Sequence, residues 1–286
     1  NKARRGKQLG FLSQIGPATE PLQVVSIDTV GGFSGYNSVK KYAHIAIDHC
    51  TRFVWIVCSK TQTGKDFINL AKIIMQQAKP KMILADKYTG INSHEFSHFL
   101  EKQKIKLMFI STNCPQSNGI CERVNQTLVN RLRCKFNENV NKNISWHKLM
   151  HECVNEYNNT LHSVTKYTPN FLLNGIQPFN SAIEDKQSQQ EALVIANRNS
   201  QRNHESNKQR YDANHENIEF KEGDLVWIEH KNDISRRKLD QLMTGPFEVV
   251  KRISPTTYEI KCYKKGKKTD LFHISKLRQF TGGEEA

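Results

Sequence analysis

The chain has 286 residues, 37% apolar and 24% charged, enough for one sizeable buried core and a second, smaller domain. Its 42 Lys and Arg outnumber 28 Asp and Glu, giving +14 and a pI near 9.4, a field that attracts polyanions such as nucleic acid. Apolar runs such as Phe53 to Cys58 are too short to cross a bilayer, and seven cysteines without a CxxC pair exclude a disulfide framework. The expectation is an intracellular protein with reduced thiols and no membrane partner.

Residues 1–20 form a polar, basic leading segment with Lys2, Arg4, Arg5 and Lys7, and no signal peptide. The chain opens on Asn1, which reads as a fragment or a processed product. Three strand-like runs follow, Leu22 to Asp28, Tyr42 to Asp48 and Arg52 to Ser59. Thr63 starts a helix whose apolar positions Phe67, Leu70, Ile73 and Ile74 recur at helical spacing, and Pro80 ends it. Met82 to Ala85 is a fourth strand, Ser93 opens a second helix, and Leu107 to Ile110 is a fifth strand. Helices are predicted from Gly119 to about Glu138 and from Ser145 to about Leu161. This order gives an α/β fold with a mixed sheet.

Residues 179–222 hold no Gly or Pro and read as a helical connector, with a disordered linker as the alternative; fully helical, they would extend roughly 60 Å. From Gly223 the pattern changes to short strands, Asp224 to Glu229, Phe247 to Arg252, Tyr258 to Cys262 and one near Leu271. Turns are expected at Gly245-Pro246, Ser254-Pro255 and Lys265-Gly266. The result is a small all-β module, plausibly a barrel. It carries Arg236, Arg237, Lys238, Lys251, Arg252, Lys264, Lys265, Lys267 and Lys268. Solvation explains some of these charges; their density on one small module favours a nucleic-acid surface.

Three acids stand out by position. Asp28 and Asp86 end the first and fourth strands, and Glu122 lies in the first turn of the helix entered through Pro115-Gln116-Ser117-Asn118-Gly119. Hard oxygen donors converging at a sheet edge suit Mg²⁺ or Mn²⁺. Singly, each has an ordinary use, capping a turn or favouring the helix dipole. Fifty-seven residues separate Asp28 from Asp86, and thirty-five separate Asp86 from Glu122.

With that spacing the chain resembles the retroviral and retrotransposon integrases. The stretch Pro115 to Gly119 with Glu122, Arg123 and Asn125 looks like the family's loop and helix around its catalytic Glu. Thr168-Pro169 with Leu172-Leu173 and Gly175 is similar to a late core motif. Tyr211-Asp212, Gly223-Asp224, Val226-Trp227, Gly245-Pro246-Phe247 and His273 to Leu277 resemble the C-terminal module of gypsy-type long-terminal-repeat elements. Where the family has a small residue, Asn or Arg, then Gly after its second Asp, this chain has Lys87-Tyr88, and the Gly is displaced to Gly90.

The resemblance implies a ribonuclease-H-like catalytic core at 21–178, with a mixed five-stranded sheet and flanking helices. A helical connector at 179–217, a Src-homology-3-like DNA-binding barrel at 218–280 and a tail at 281–286 would follow. Asp28, Asp86 and Glu122 would hold two Mg²⁺ or Mn²⁺ ions for 3′-end processing and strand transfer. Gln116, Asn118, Gly119, Arg123 and Asn125, with the basic residues of the module, would contact DNA. Zn²⁺ would belong only to a preceding N-terminal module. The implied partners are double-stranded DNA, as element ends and target, and further copies of the chain. The implied place of action is the nucleus. A domesticated, binding-only derivative is the alternative.

A rival motif, His94-Glu95-Phe96-Ser97-His98, fits the HExxH helix of zinc proteases. Phe96 and Phe99 read as core contacts of a helix following the Asp86 strand, which favours a packing role. His147 and His151, one helical turn apart, read as packing and surface residues.

Overall fold

The computed structural model describes residues 8–9, 17–33, 38–86, 90–110, 119–138, 144–176, 188–213, 215–216, 218–229, 241–254, 256–261 and 268–280. They divide into two compact units, residues 16–204 and residues 1–15 with 205–286. Strand β1 (Gln8–Leu9) belongs to the second. The first contains β2 (Val24–Val30), β3 (Tyr42–Asp48), β4 (Val54–Ser59), β5 (Met82–Asp86) and β6 (Lys106–Ile110). These form one sheet in the order β4-β3-β2-β5-β6. The β2–β3 and β3–β4 pairs are antiparallel, and β2–β5 and β5–β6 are parallel, so the sheet is mixed as expected.

Strand alternation builds a core on each face. Ala43, Ile45, Ile47, Val54, Ile56 and Cys58 face one cluster; Val25, Ile27, Ala46, Trp55, Ile83 and Ala85 face the other. Helices α1 (Gly64–Met75) and α2 (His94–Lys102) bury Phe67, Leu70, Ile74, Phe96 and Leu100 against the second face. Helices α3 (Gly119–Glu138) and α4 (Trp146–Asn158) cover the first with Cys121, Val124, Leu128, Trp146, Leu149 and Cys153. Local chemistry fixes the starts: Asp66 accepts the Thr63 N–H at 2.9 Å, and Ser93 Oγ accepts the Phe96 N–H at 3.3 Å. The end of α4 is tied to the edge strand, where Asn158 exchanges two 2.9 Å hydrogen bonds with the backbone of Val54.

Helix α5 (Pro169–Asn174) is too short for periodicity to reveal, yet Thr168 caps it, Pro169 opens it and Gly175, at φ 72, ends it. The stretch read as a helical connector contains α6 (Gln189–Ala213), 25 residues or about 37 Å of helix. Its apolar patch is used, since Ala192 and Ala196 pack with Phe171 and Leu172.

In the second unit, β1 pairs in parallel with β7 (His215–Glu216). The strands β8 (Leu225–Glu229), β9 (Met243–Ser254), β10 (Thr257–Ile260), β11 (Asp270–His273) and β12 (Leu277–Gln279) make an antiparallel sheet. Its order is β11-β10-β9-β8-β12, so the last strand returns beside β8. The core is Phe220, Val226, Ile228, Val249, Tyr258, Ile260, Ile274 and Leu277. Gly245-Pro246 does not form the expected turn: it lies inside β9, at a register shift between Val226 and Ile228. A bulge accommodates a residue without an N–H, and Gly245, at φ 138, packs where a Cβ would meet Val226 O at 2.9 Å. Among the described residues no helix is long and apolar enough to cross a membrane, and the cysteines are free, with only Cys134 exposed.

Candidate active site

Register brings the first two acids together. Strands β2 and β5 run in parallel with Val24 beside Met82 and Ile27 beside Ala85. Continuing that register sets Asp28 beside Asp86. Asp86 ends β5, but Asp28 does not end its strand as expected: pairing with β3 carries β2 on through Thr29 and Val30. Parity sets the face. Val25 and Ile27 on β2, and Ile83 and Ala85 on β5, point to the α1–α2 side. The alternate residues Asp28 and Asp86 therefore point to the side that α3 covers. Glu122, one turn into α3, is exposed, and Asn125, three residues on, donates from Nδ2 to Asp28 Oδ2 at 2.7 Å.

Asp28 feels both burial and the other two acids. Burial raises the Asp28 carboxyl above the usual range, and the charges of Asp86 and Glu122 push it further. Hydrogen bonds from the Thr29 N–H, 2.7 Å from Oδ1, and from Asn125 oppose that shift. Burial also raises Asp86. Cys121, buried in α3, is pushed well above the ordinary thiol range by burial and then by Asp28, Asp86 and Glu122. Among the described residues, no ion pair engages any of the three acids, and no group of three His, Cys, Asp or Glu side chains is gathered closely enough to hold a metal. Three like charges, one of them on an exposed side chain, repel one another. The donor set nevertheless suits a hard divalent cation: three carboxylates without a counter-charge, one half-buried and oriented by two hydrogen bonds. Asn125 Oδ1 is buried beside them without a partner among the described residues.

Comparison with known proteins agrees with this architecture. Residues 223–281 match the Tf2-1-like SH3 domain. The Tf2-3 and Tf2-4 transposon polyproteins of Schizosaccharomyces pombe are each 27% identical over 311 aligned residues, covering all of this chain. The chain spans only 22% of the length of those relatives. The fold overlays on the simian T-cell lymphotropic virus intasome in complex with PP2A regulatory subunit B56 gamma, at a TM-score of 0.66 and 14% identity. That match covers 97% of this chain and 85% of the other. The chain is thus similar to one portion of retrotransposon polyproteins and shares its fold with that intasome chain. The three acids lie in the larger unit, and the SH3 match falls on the antiparallel sheet of the second unit.

The other sequence-predicted residues fall variously. Gln116, Asn118, Lys87-Tyr88, Arg236, Arg237, Lys238, Lys264, Lys265 and Lys267 lie outside the described residues. Gly119 opens α3, and Arg123 is exposed beside Glu122. Asn125, expected at DNA, is the hydrogen-bond partner of Asp28; its place three residues after Glu122, on the same helix face, was the available signal. Lys251 and Lys268 are exposed on the SH3-like module, while Arg252 pairs with Glu219 at 3.0 Å. Gly90 has a clear structural reason: a Cβ there would lie 2.1 Å from Gln62 O and 2.9 Å from the Phe67 ring. Only glycine lets the chain return from Asp86 so close to the start of α1. His94 and His98 stack at 5.8 Å on the exposed side of α2. His147 accepts or donates at Ser38 Oγ, 3.0 Å away.

Proposed function

We propose that the chain is the catalytic and C-terminal DNA-binding portion of a long-terminal-repeat retrotransposon integrase. It would process the 3′ ends of element DNA and join them to target DNA in the nucleus, working as a homo-oligomer on paired ends. The observation that carries this reading is the pairing of β2 with β5, whose register brings Asp28 level with Asp86, with Asn125 of the Glu122 helix bonded to Asp28, on a fold that overlays on an intasome chain. Two Mg²⁺ or Mn²⁺ ions held by these acids would supply charge neutralisation at the reacting phosphate and activation of the attacking oxygen. The chain's own residues do the positioning. The Thr29 N–H and Asn125 fix both oxygens of Asp28, so its carboxylate keeps one orientation. Asp86 holds its level through the parallel β2–β5 register, and exposed Glu122 closes the set from α3. Arg123 and the basic residues of the SH3-like module would draw the DNA backbone in, with Gln116 and Asn118 steering it near the acids.

The deciding experiment is a strand-transfer assay with purified chain, Mg²⁺ or Mn²⁺ and duplexes carrying element ends. Joining is expected, and Glu122→Gln should lower it by at least about 10²-fold while leaving DNA binding intact. Joining by Glu122→Gln at the parental rate removes the catalytic assignment and leaves the domesticated, binding-only reading.

A further inference from the structure

Arg52 sits in the turn between β3 and β4 at φ 67 and is only 7% exposed. Its Nε and Nη1 are buried without a hydrogen-bond partner among the described residues, and so is the hydroxyl of Tyr157 on α4. Native folds rarely leave a guanidinium and a phenol orphaned together, because each lost its water on burial. The nearby acid does not relieve them. Asp48 is already engaged by the Leu22 N–H at 3.0 Å, the Thr51 N–H at 2.9 Å and the Thr51 hydroxyl at 2.7 Å.

What surrounds these donors is cationic. The Arg131 guanidinium stands 5.9 Å over the Tyr157 ring, and the His162 ring meets the same ring edge-on at 6.4 Å. Arg52, Arg123 and Lys166 all act on His162. His162 Nδ1 accepts the N–H groups of Val164 at 3.2 Å and Thr165 at 3.4 Å, so the proton of the neutral ring is on Nε2, a further donor. Donors and positive charge therefore gather where, among the described residues, the carboxylate acting on Arg52, that of Asp48, is already engaged. Water would satisfy the hydrogen bonds but not the charge; a tetrahedral oxyanion does both, and the planar fork of an arginine suits it.

We propose that Arg52, Tyr157 and His162, flanked by Arg123, Arg131 and Lys166, form a phosphate-binding site beside α3, separate from the three acids. The phosphate is either one unit of a DNA backbone or free inorganic phosphate. Arg123 directly follows Glu122, so the site shares its helix with the acid centre. The assignment stands on geometry that the acids do not enter, and it survives if the integrase reading fails.

Thermal melts of the full chain test it, with inorganic phosphate titrated against sodium chloride at equal ionic strength. Phosphate is expected to raise Tm in a saturable way, as binding to the native state alone requires. Tyr157→Phe keeps the ring contacts and should fold, yet lose most of the increment; Arg52→Gln should lose all of it, and Arg131→Gln part. If wild type gains nothing over chloride, or Tyr157→Phe gains as much as wild type, the proposal is overturned. Repeating the titration with saturating duplex DNA identifies the source. Loss of the increment, with a salt slope of DNA binding lowered by about 1 in Tyr157→Phe, assigns the site to a backbone phosphate. An increment that persists with duplex bound assigns it to the free anion.

Discussion

At the scale of single residues, charge has been placed against its own comfort. Asp28 is disfavoured as an anion by burial and by Asp86 and Glu122, so its folded-state carboxyl titrates above the unfolded one. Ionisation at neutral pH therefore costs stability that returns as pH falls through that raised value. Asp28→Asn should melt higher than wild type without divalent metal, by roughly 1–4 °C. An amide can still serve Thr29 and Asn125, whose Oδ1 lacks a partner among the described residues. Mg²⁺ should raise the wild-type Tm and not that of the variant; a variant that melts lower in chelator contradicts the assignment. Histidines carry the opposite sign. Burial, then Arg52, Arg123 and Lys166, lower His162 to about 4, and burial with Arg52 lowers His49 to about 3. Both favour the neutral ring, so their stabilisation is complete above the unfolded value near 6.5 and is lost as pH falls toward 4. Tm measured between pH 7.5 and 4.5 should drop across that window, and His162→Gln should flatten the drop. An unchanged acid limb would assign it to other groups.

At the scale of elements, legibility followed the range of the cause. The strands and long helices were readable because alternation and helical spacing are local, whereas position alone left each acid an ordinary turn or dipole role, and only the spacing that resembles the integrases singled out the three. The offset of 58 between paired β2 and β5 residues is the same offset that separates Asp28 from Asp86, so their fixed spacing is the sheet register seen in one dimension. Hidden from sequence were bonds between distant positions. Pro246 reads as a turn, but its place inside β9 depends on the pairing with β8. Asn158 reads as an ordinary helix-end polar residue, yet it clips α4 to an edge strand 104 positions away. Asn158→Ala should cost about 2–3 kcal/mol, because Val54, 1% exposed, would keep an unpaired N–H and C=O. Urea unfolding should show a lower midpoint at unchanged m. A midpoint within error of wild type would mean that water replaces the clip.

At the scale of the whole molecule, the question is where the net charge of +14 resides. Residues 1–204 hold 26 Lys and Arg against 14 Asp and Glu, and residues 205–286 hold 16 against 14. The basic clusters of the SH3-like module are thus nearly balanced by acids in the same segment, and three of its described cations are already paired, Arg252 with Glu219, Lys261 with Glu248 and Arg278 with Glu229. Long-range attraction of a polyanion follows net charge, whereas register on the duplex follows local contacts. Residues 1–204, the basic leading segment included, should therefore supply most of the salt-dependent affinity, and the module mainly contacts at short range. Residues 16–204 have their own clusters on both sheet faces, so a chain cut after residue 204 should keep its fold. Plotted as log Kd against log salt concentration, its binding to a random duplex should retain more than about half of the full chain's slope. Its affinity at moderate salt should still fall, through loss of the module's direct contacts. A slope that collapses on truncation would place the phosphate contacts on the module, and the local clusters rather than the net charge would then govern encounter with DNA.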